Sequence, residues 1–168
     1  MKCRTIQKGS TLGLMCPSSK QKDPKQIELF LEYLTKKGFK YKLGKSMYAK
    51  CGYLAGTDEL RAEDLNTFFQ DDEVDAILCF RGGYGAARFL NLIDYEAIKK
   101  HPKLLVGFSD VTVLLNAIYQ KTGLPTLHGE MGVIFKEEFL KEDEYSALKL
   151  NIRNNYMVDN SELIIMRK

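Results

Sequence analysis

Long apolar runs are missing from this 168-residue chain. The longest near the N-terminus, Leu12 to Cys16, is too short for a signal-peptide core or a membrane span. Cysteine pairing is missing too. Cys3, Cys16, Cys51 and Cys79 are widely spaced with no CxxC pair, which argues against a disulfide or a zinc site. Cys16 and Cys79 fall in apolar runs, where a thiol behaves as a small hydrophobe. A basic stripe is also lacking. The 25 basic and 22 acidic side chains leave a net charge of +3. The pairs Lys36-Lys37 and Lys99-Lys100 stand by Gly38 and Pro102, where helices should end and cations complement the dipole. Nucleic-acid and membrane-surface binding thus lose their electrostatic footprint. Internal repeats, low-complexity tracts, a metal-ligand pattern and a cofactor are not expected. The chain reads as cytoplasmic.

What is present fits one soluble domain. Hydrophobic residues make up 45% and charged residues 28%, and a chain this long buries roughly two-thirds of its unfolded surface. Thr11–Cys16 reads as a buried strand ended by Pro17-Ser18-Ser19. Asp23-Pro24 supplies an N-cap and an N1 proline, Ile27, Phe30, Leu31 and Leu34 form one stripe, and Gly38 stops the helix. Tyr41 and Leu43 alternate with lysines in a half-exposed strand. Asp58 is read as the cap of a second helix that buries Leu65, Phe68 and Phe69 and breaks at Asp71-Asp72. Ala76–Phe80 is an unbroken apolar run, as in a strand covered on both faces. A helix is expected over Ala86–Leu92, and a short one capped by Asp94. A strand at Leu104–Val106, a helix from Asp110 to Thr122 closed by Gly123, and a strand at Thr126–His128 follow. This alternation predicts an α/β fold, Rossmann- or flavodoxin-like, with a mostly parallel sheet and helices on both faces.

Ligands of such sheets bind beyond the carboxyl ends of the strands. Two unusual segments fall there: Arg81-Gly82-Gly83-Tyr84-Gly85 and Gly107-Phe108-Ser109-Asp110. Ser109 sits at a strand-to-helix turn, where free N–H groups and the helix dipole converge. It resembles a nucleophile elbow without the G-x-S-x-G pattern, because position 111 is Val. An N-cap serine is the plainer reading. The glycine loop has three readings: a tight turn, a dinucleotide site, or half of an oxyanion hole. Arg88 at the third glycine position weighs against the dinucleotide reading.

Six segments in order resemble the N-terminal half of the LD-carboxypeptidase family, which includes microcin self-immunity peptidases. They are Lys8–Thr11 leading to Pro17–Ser19, Gly52–Asp58, Val74–Ile77, Arg81–Gly85, Gly107–Thr112 and His128–Met131. The resemblance implies a metal-free Ser-His-Glu hydrolase that removes a C-terminal D-amino acid from murein peptides. Carried across, Ser109 is the nucleophile, and the N–H of Asp110 with one from Gly82 or Gly83 forms the oxyanion hole. Arg81, Tyr84 and His128 are candidates to meet the peptide substrate. A homodimer is compatible with this reading.

Two features depart from the family pattern. Glu130 stands where the family usually has proline. The family's catalytic Glu and His come from a C-terminal domain that these residues do not include. The nucleophile domain is expected over 1–150, with 151–168 leading toward the missing domain. A helix over 137–152 and a strand at 163–166 are expected on the way. His101 reads as a solvated helix end, and His128 as a structural residue at the sheet edge. Two alternatives stay open: a fragment that binds murein peptides without turnover, and a small nucleotide- or sugar-binding module.

Overall fold

The computed structural model describes residues 3–135. The expected helix over 137–152, strand at 163–166 and boundary near 150 lie outside them. Five strands form one sheet: β1 (Thr11–Met15), β2 (Lys40–Leu43), β3 (Ala76–Cys79), β4 (Leu104–Gly107) and β5 (Leu127–His128). Every neighbouring pair is parallel, and the order is β2-β1-β3-β4-β5. This is the flavodoxin-like order, with its switch point between β1 and β3.

Helices cover both faces, as the alternation predicted. Helix α1 (Pro24–Lys36) starts where Asp23 accepts the N–H of Lys25 and Pro24 fills the first turn. It buries Ile27, Phe30, Tyr33 and Leu34 against Leu12, Leu14, Leu78 and Phe80. Tyr33 replaces the expected Leu31 in that stripe, and Leu31 is only half-buried. The opposite face carries α2 (Asp58–Gln70), α3 (Tyr95–Lys100) and α4 (Thr112–Thr122). Their side chains meet Met15, Ile77, Cys79 and Leu105. Burial of the two central thiols suppresses their ionisation, and that of Cys16 is pushed up to about 12.

Two local expectations are corrected. Thr57, not Asp58, caps α2, its hydroxyl accepting the N–H of Leu60. Asp58 is drawn instead to Arg61 and Arg88. The segment Ala86–Leu92 is not an α-helix but two 3-10 turns joined at Phe89 (φ −114°, ψ 16°). Phe89 is fully buried, so the backbone bends to deliver its ring to the core.

Candidate active site

Three loops meet beyond the carboxyl ends of β1, β3 and β4, and buried charges hold them there. Arg61, in the first turn of α2, is 0% exposed. Its guanidinium donates to the carbonyl of Pro17 at 2.6 Å and to that of Gly85 at 2.9 Å, and it pairs with Asp58. The Phe89 ring lies 5.1 Å from its centre. Burial lowers the Arg61 pKa, and Asp58 opposes that shift. The second clasp is Asp110, whose carboxylate accepts the Ser18 hydroxyl at 2.7 Å and the Ala86 N–H at 2.9 Å. Ser19 completes the set: its N–H donates to Gly82 O (3.1 Å) and its hydroxyl accepts the Tyr84 N–H (3.2 Å).

Ser109 stands at the junction of β4 with a 3-10 turn over Ser109–Val111, which runs into α4. Its φ is +62°, and it is the only non-glycine residue with positive φ among the described residues. Such a conformation costs an ordinary L-residue roughly 1–2 kcal/mol and marks a turn over-determined by its surroundings. The side chain is exposed and makes no capping hydrogen bond, which removes the plain N-cap reading. The bend also needs Gly107. A Cβ there would come 2.6 Å from Val111 Cγ1 and 3.2 Å from Cys79 Cβ. In this turn the small residue is required before the serine, and Val111 after it is simply buried core.

The glycine loop lies against this turn. A Cβ on Gly82 would be 3.5 Å from both the Ser109 Cβ and the Phe108 carbonyl, and 3.3 Å from the Met131 methyl. Gly83 has φ +118°, and a side chain there would run into Ser19 Oγ. The N–H groups of Gly82, Gly83 and Asp110 meet no acceptor among the described residues. Arg81 is half-buried and donates to Gln21 Oε1 at 3.1 Å, whereas Tyr84 is 71% exposed.

The histidines do not join this cluster through hydrogen bonds. His128 pairs with Gly107 across the β4–β5 ladder and is exposed, its ring 6.2 Å from that of Phe108. His101 lies at the end of α3, 3.8 Å from Asp72. Ser18 and Ser19 lie at the same edge as Ser109, but their hydroxyls are occupied as clasps. No group of three or more His, Cys, Asp or Glu able to hold a metal occurs among the described residues, and no described helix is long and apolar enough to cross a membrane. Arg61 and the side chain of Asp110 were not legible as site residues. Only their long-range partners reveal them.

Residues 12–129 match the family model described as the LD-carboxypeptidase N-terminal domain. The chain is 46% identical over 130 residues to a probable murein peptide carboxypeptidase of Bacillus subtilis, covering 77% of this chain and 40% of that protein. It is 41% identical over 104 residues to the murein tetrapeptide carboxypeptidase of Pseudomonas aeruginosa, covering 61% of this chain and 34% of that one. Among solved structures, an MccF-like protein from Bacillus anthracis superposes with a TM-score of 0.76 at 32% identity. That match covers 80% of this chain and 41% of the other. The chain therefore spans about 40% or less of the length of these relatives.

Proposed function

The chain belongs to the LD-carboxypeptidase family, and on that premise we propose that it is the nucleophile-bearing half of a cytoplasmic serine carboxypeptidase that cuts a C-terminal D-amino acid from murein peptides. One observation carries the reading: a serine at φ +62° on a strand-to-helix turn, with a glycine loop packed against it. Strain of this kind persists where the surrounding structure enforces it, and it clusters at reactive sites.

In this reading Ser109 Oγ attacks the carbonyl carbon of the last peptide bond. The carbonyl oxygen becomes an oxyanion held by the Asp110 N–H and an N–H of Gly82 or Gly83. Loss of one such donor typically costs about 3 kcal/mol of transition-state stabilisation. The C–N bond then breaks, the serine proton passes to the leaving amine, and water hydrolyses the acyl ester. Arg81 and Tyr84 border the peptide's path.

A hydroxyl attacks efficiently only when an oriented base takes its proton. The resemblance assigns that base to a His–Glu pair outside residues 1–168. The 168-residue chain alone is therefore expected to retain at most the residual ~10³–10⁴-fold advantage over water that oxyanion holes and binding give. Purified chain offered a murein tetrapeptide should release only traces of D-alanine. Turnover at the level of a complete relative would make His128 the base and overturn this division of labour. In the intact protein, Ser109→Ala should abolish D-alanine release with the fold unchanged, and near-normal turnover would remove Ser109 from the mechanism.

A further inference from the structure

Three consecutive residues, Phe80, Arg81 and Gly82, are each held by the short segment 131–135 that follows β5. The Val133 N–H donates to the Phe80 carbonyl at 2.8 Å. A side chain on Gly132 would collide with the Phe80 ring, so this close approach requires glycine. The Met131 methyl lies 3.3 Å from where a Gly82 Cβ would stand. Arg81, between them, is reached through side chains. Its guanidinium donates to Gln21 Oε1 at 3.1 Å, Gln21 Nε2 donates to Gln26 Oε1 at 2.6 Å, and Gln26 Nε2 donates to the Val133 carbonyl.

The two ends fix the direction of this chain of bonds. A carbonyl only accepts and a guanidinium only donates. Gln26 must therefore turn its amide nitrogen to Val133 and its oxygen to Gln21, and Gln21 must turn its oxygen to Arg81. A primary amide accepts at one atom and donates from the other, which neither a carboxylate nor an alkyl chain of the same length can do. Gln21 is buried and also accepts the Lys22 N–H at 3.0 Å. Gln26 belongs to α1, and the segment it grips is anchored on the same helix by the Phe135 ring, 5.6 Å from that of Phe30 and 4.7 Å from that of Tyr33. Among the described residues Gln21 is the one hydrogen-bond partner of the Arg81 guanidinium, whose buried Nε has none.

We propose that Gln21 and Gln26 are positioning residues, a two-amide relay that sets the peptide between Arg81 and Gly82 from the backbone at Val133. That peptide carries the Gly82 N–H. The Gly82 carbonyl on its far side is tied to the Ser19 N–H at 3.1 Å, which leaves the orientation of the peptide before it to the Arg81 side chain. The catalytic part of the proposal rests on the reading of Gly82 as an oxyanion donor.

NMR of the isotope-labelled 168-residue chain reads the relay, and kinetics of the intact protein read its use. Gln26→Glu keeps the shape and the acceptor toward Gln21 but has no donor for Val133 once ionised. It should shift the Arg81 Nε–H and Gly82 N–H signals, and Gln26→Met should do the same. Glu28→Met, at an exposed position of α1, should move neither. Adding Gln26→Met to Gln21→Met should move them no further than Gln21→Met alone, because a relay already cut has no second break. In the intact protein Gln26→Glu should lower kcat about tenfold and leave KM unchanged, the signature of a contact made mainly in the transition state. Signals that stay in place, or shifts from the two sites that add, would overturn the relay and leave the Ser109 reading standing. Shifted signals with kcat unchanged would overturn the positioning role, and with it the oxyanion role of Gly82.

Discussion

Helix α2 carries a buried cation at each end, and the two are placed by opposite logic. At its C-terminal end Lys103 is 2% exposed and donates to the carbonyls of Phe68 (2.9 Å) and Asp71. A cation there satisfies the last carbonyls of the helix and sits at the negative end of its dipole. At the N-terminal end Arg61 lies where the dipole repels a cation. It is held by Asp58, by the nearby Thr57 carbonyl, by the Phe89 ring and by carbonyls of two loops, 44 and 24 residues away in the chain. Lys103 finishes a helix, whereas Arg61 finishes a cleft. The difference extends across the two edges of the sheet. Near Lys103, Asp75 closes on the Thr11 N–H and on Arg4. Near Arg61, three N–H groups meet no acceptor among the described residues, and Ser109 is held at positive φ.

The sharpest way to break this contrast is to remove each cation in turn. Arg61→Met should cost about 3 kcal/mol, because it leaves two buried loop carbonyls unpaired together and Asp58 with Arg88 alone. It should also displace the backbone NMR signals of Gly82, Gly83 and Asp110. Lys103→Met should cost less, about 1–3 kcal/mol, and leave those three signals in place. Equal losses with identical signal changes in chemical denaturation and NMR would mean that Arg61 has no special bond to the cleft.

A smaller contrast lies in two glycines. Gly83→Ala meets both an unfavourable φ and the Ser19 side chain, whereas Gly38→Ala at φ +84° finds only ordinary contact with Lys8 at 3.6 Å. The first should cost roughly 2 kcal/mol or more and the second about 1 kcal/mol. Smaller still, Ser109→Gly should stabilise the fold by up to about 1 kcal/mol by releasing φ strain, where Ser109→Ala retains it. A melting temperature that does not rise for the glycine variant would place the strain elsewhere.

The smallest effect is a pH signature. Burial raises the folded-state pKa of Glu130 above its ordinary 4.5, so the unfolded chain ionises first as pH rises. Folding stability from this group is fully present below pH 4.5 and declines as pH climbs through the folded value. Glu130→Gln should therefore be slightly more stable than the parent at pH 7, with the gap closing below pH 4.5. A constant gap across that range would show that Glu130 is solvated like any surface carboxylate.

Legibility in the sequence followed the range of the interactions. The unbroken run Ala76–Phe80, the Asp23-Pro24 start and the Gly123 stop are local signals; the helix start and stop stand where they were read, and the strand ends one residue early, at Cys79. The cap of α2 was misread by one residue because Thr57 and Asp58 both offer a capping oxygen, and only tertiary pairing with Arg88 and Arg61 draws Asp58 away. Ala86–Leu92 has helical composition, but the pull of Phe89 into the core splits it. Ser109 and Gly82 were legible as neighbours at strand ends, since parallel topology alone brings such ends together. The clasps were not. Asp110 binds Ser18 across 92 residues, and no spacing rule reaches that far. The sign of φ at Ser109 is likewise written in packing at Gly107 and not in any residue type at position 109.

The outer strand β2 is four residues long, and its sequence Lys-Tyr-Lys-Leu places a charge at every second position. An outer strand offers a row of unpaired backbone groups to any passing chain. Here Lys40 and Lys42 guard that row: a second copy laid alongside would bring like charges together and would have to disturb the Lys42 contacts with Asp71 and Glu73. The exposed rings and methyls of Tyr41 and Leu43 can therefore face water without inviting fibre growth from this side. Neutralising both lysines would convert that border into an aggregation seed without altering a single core contact.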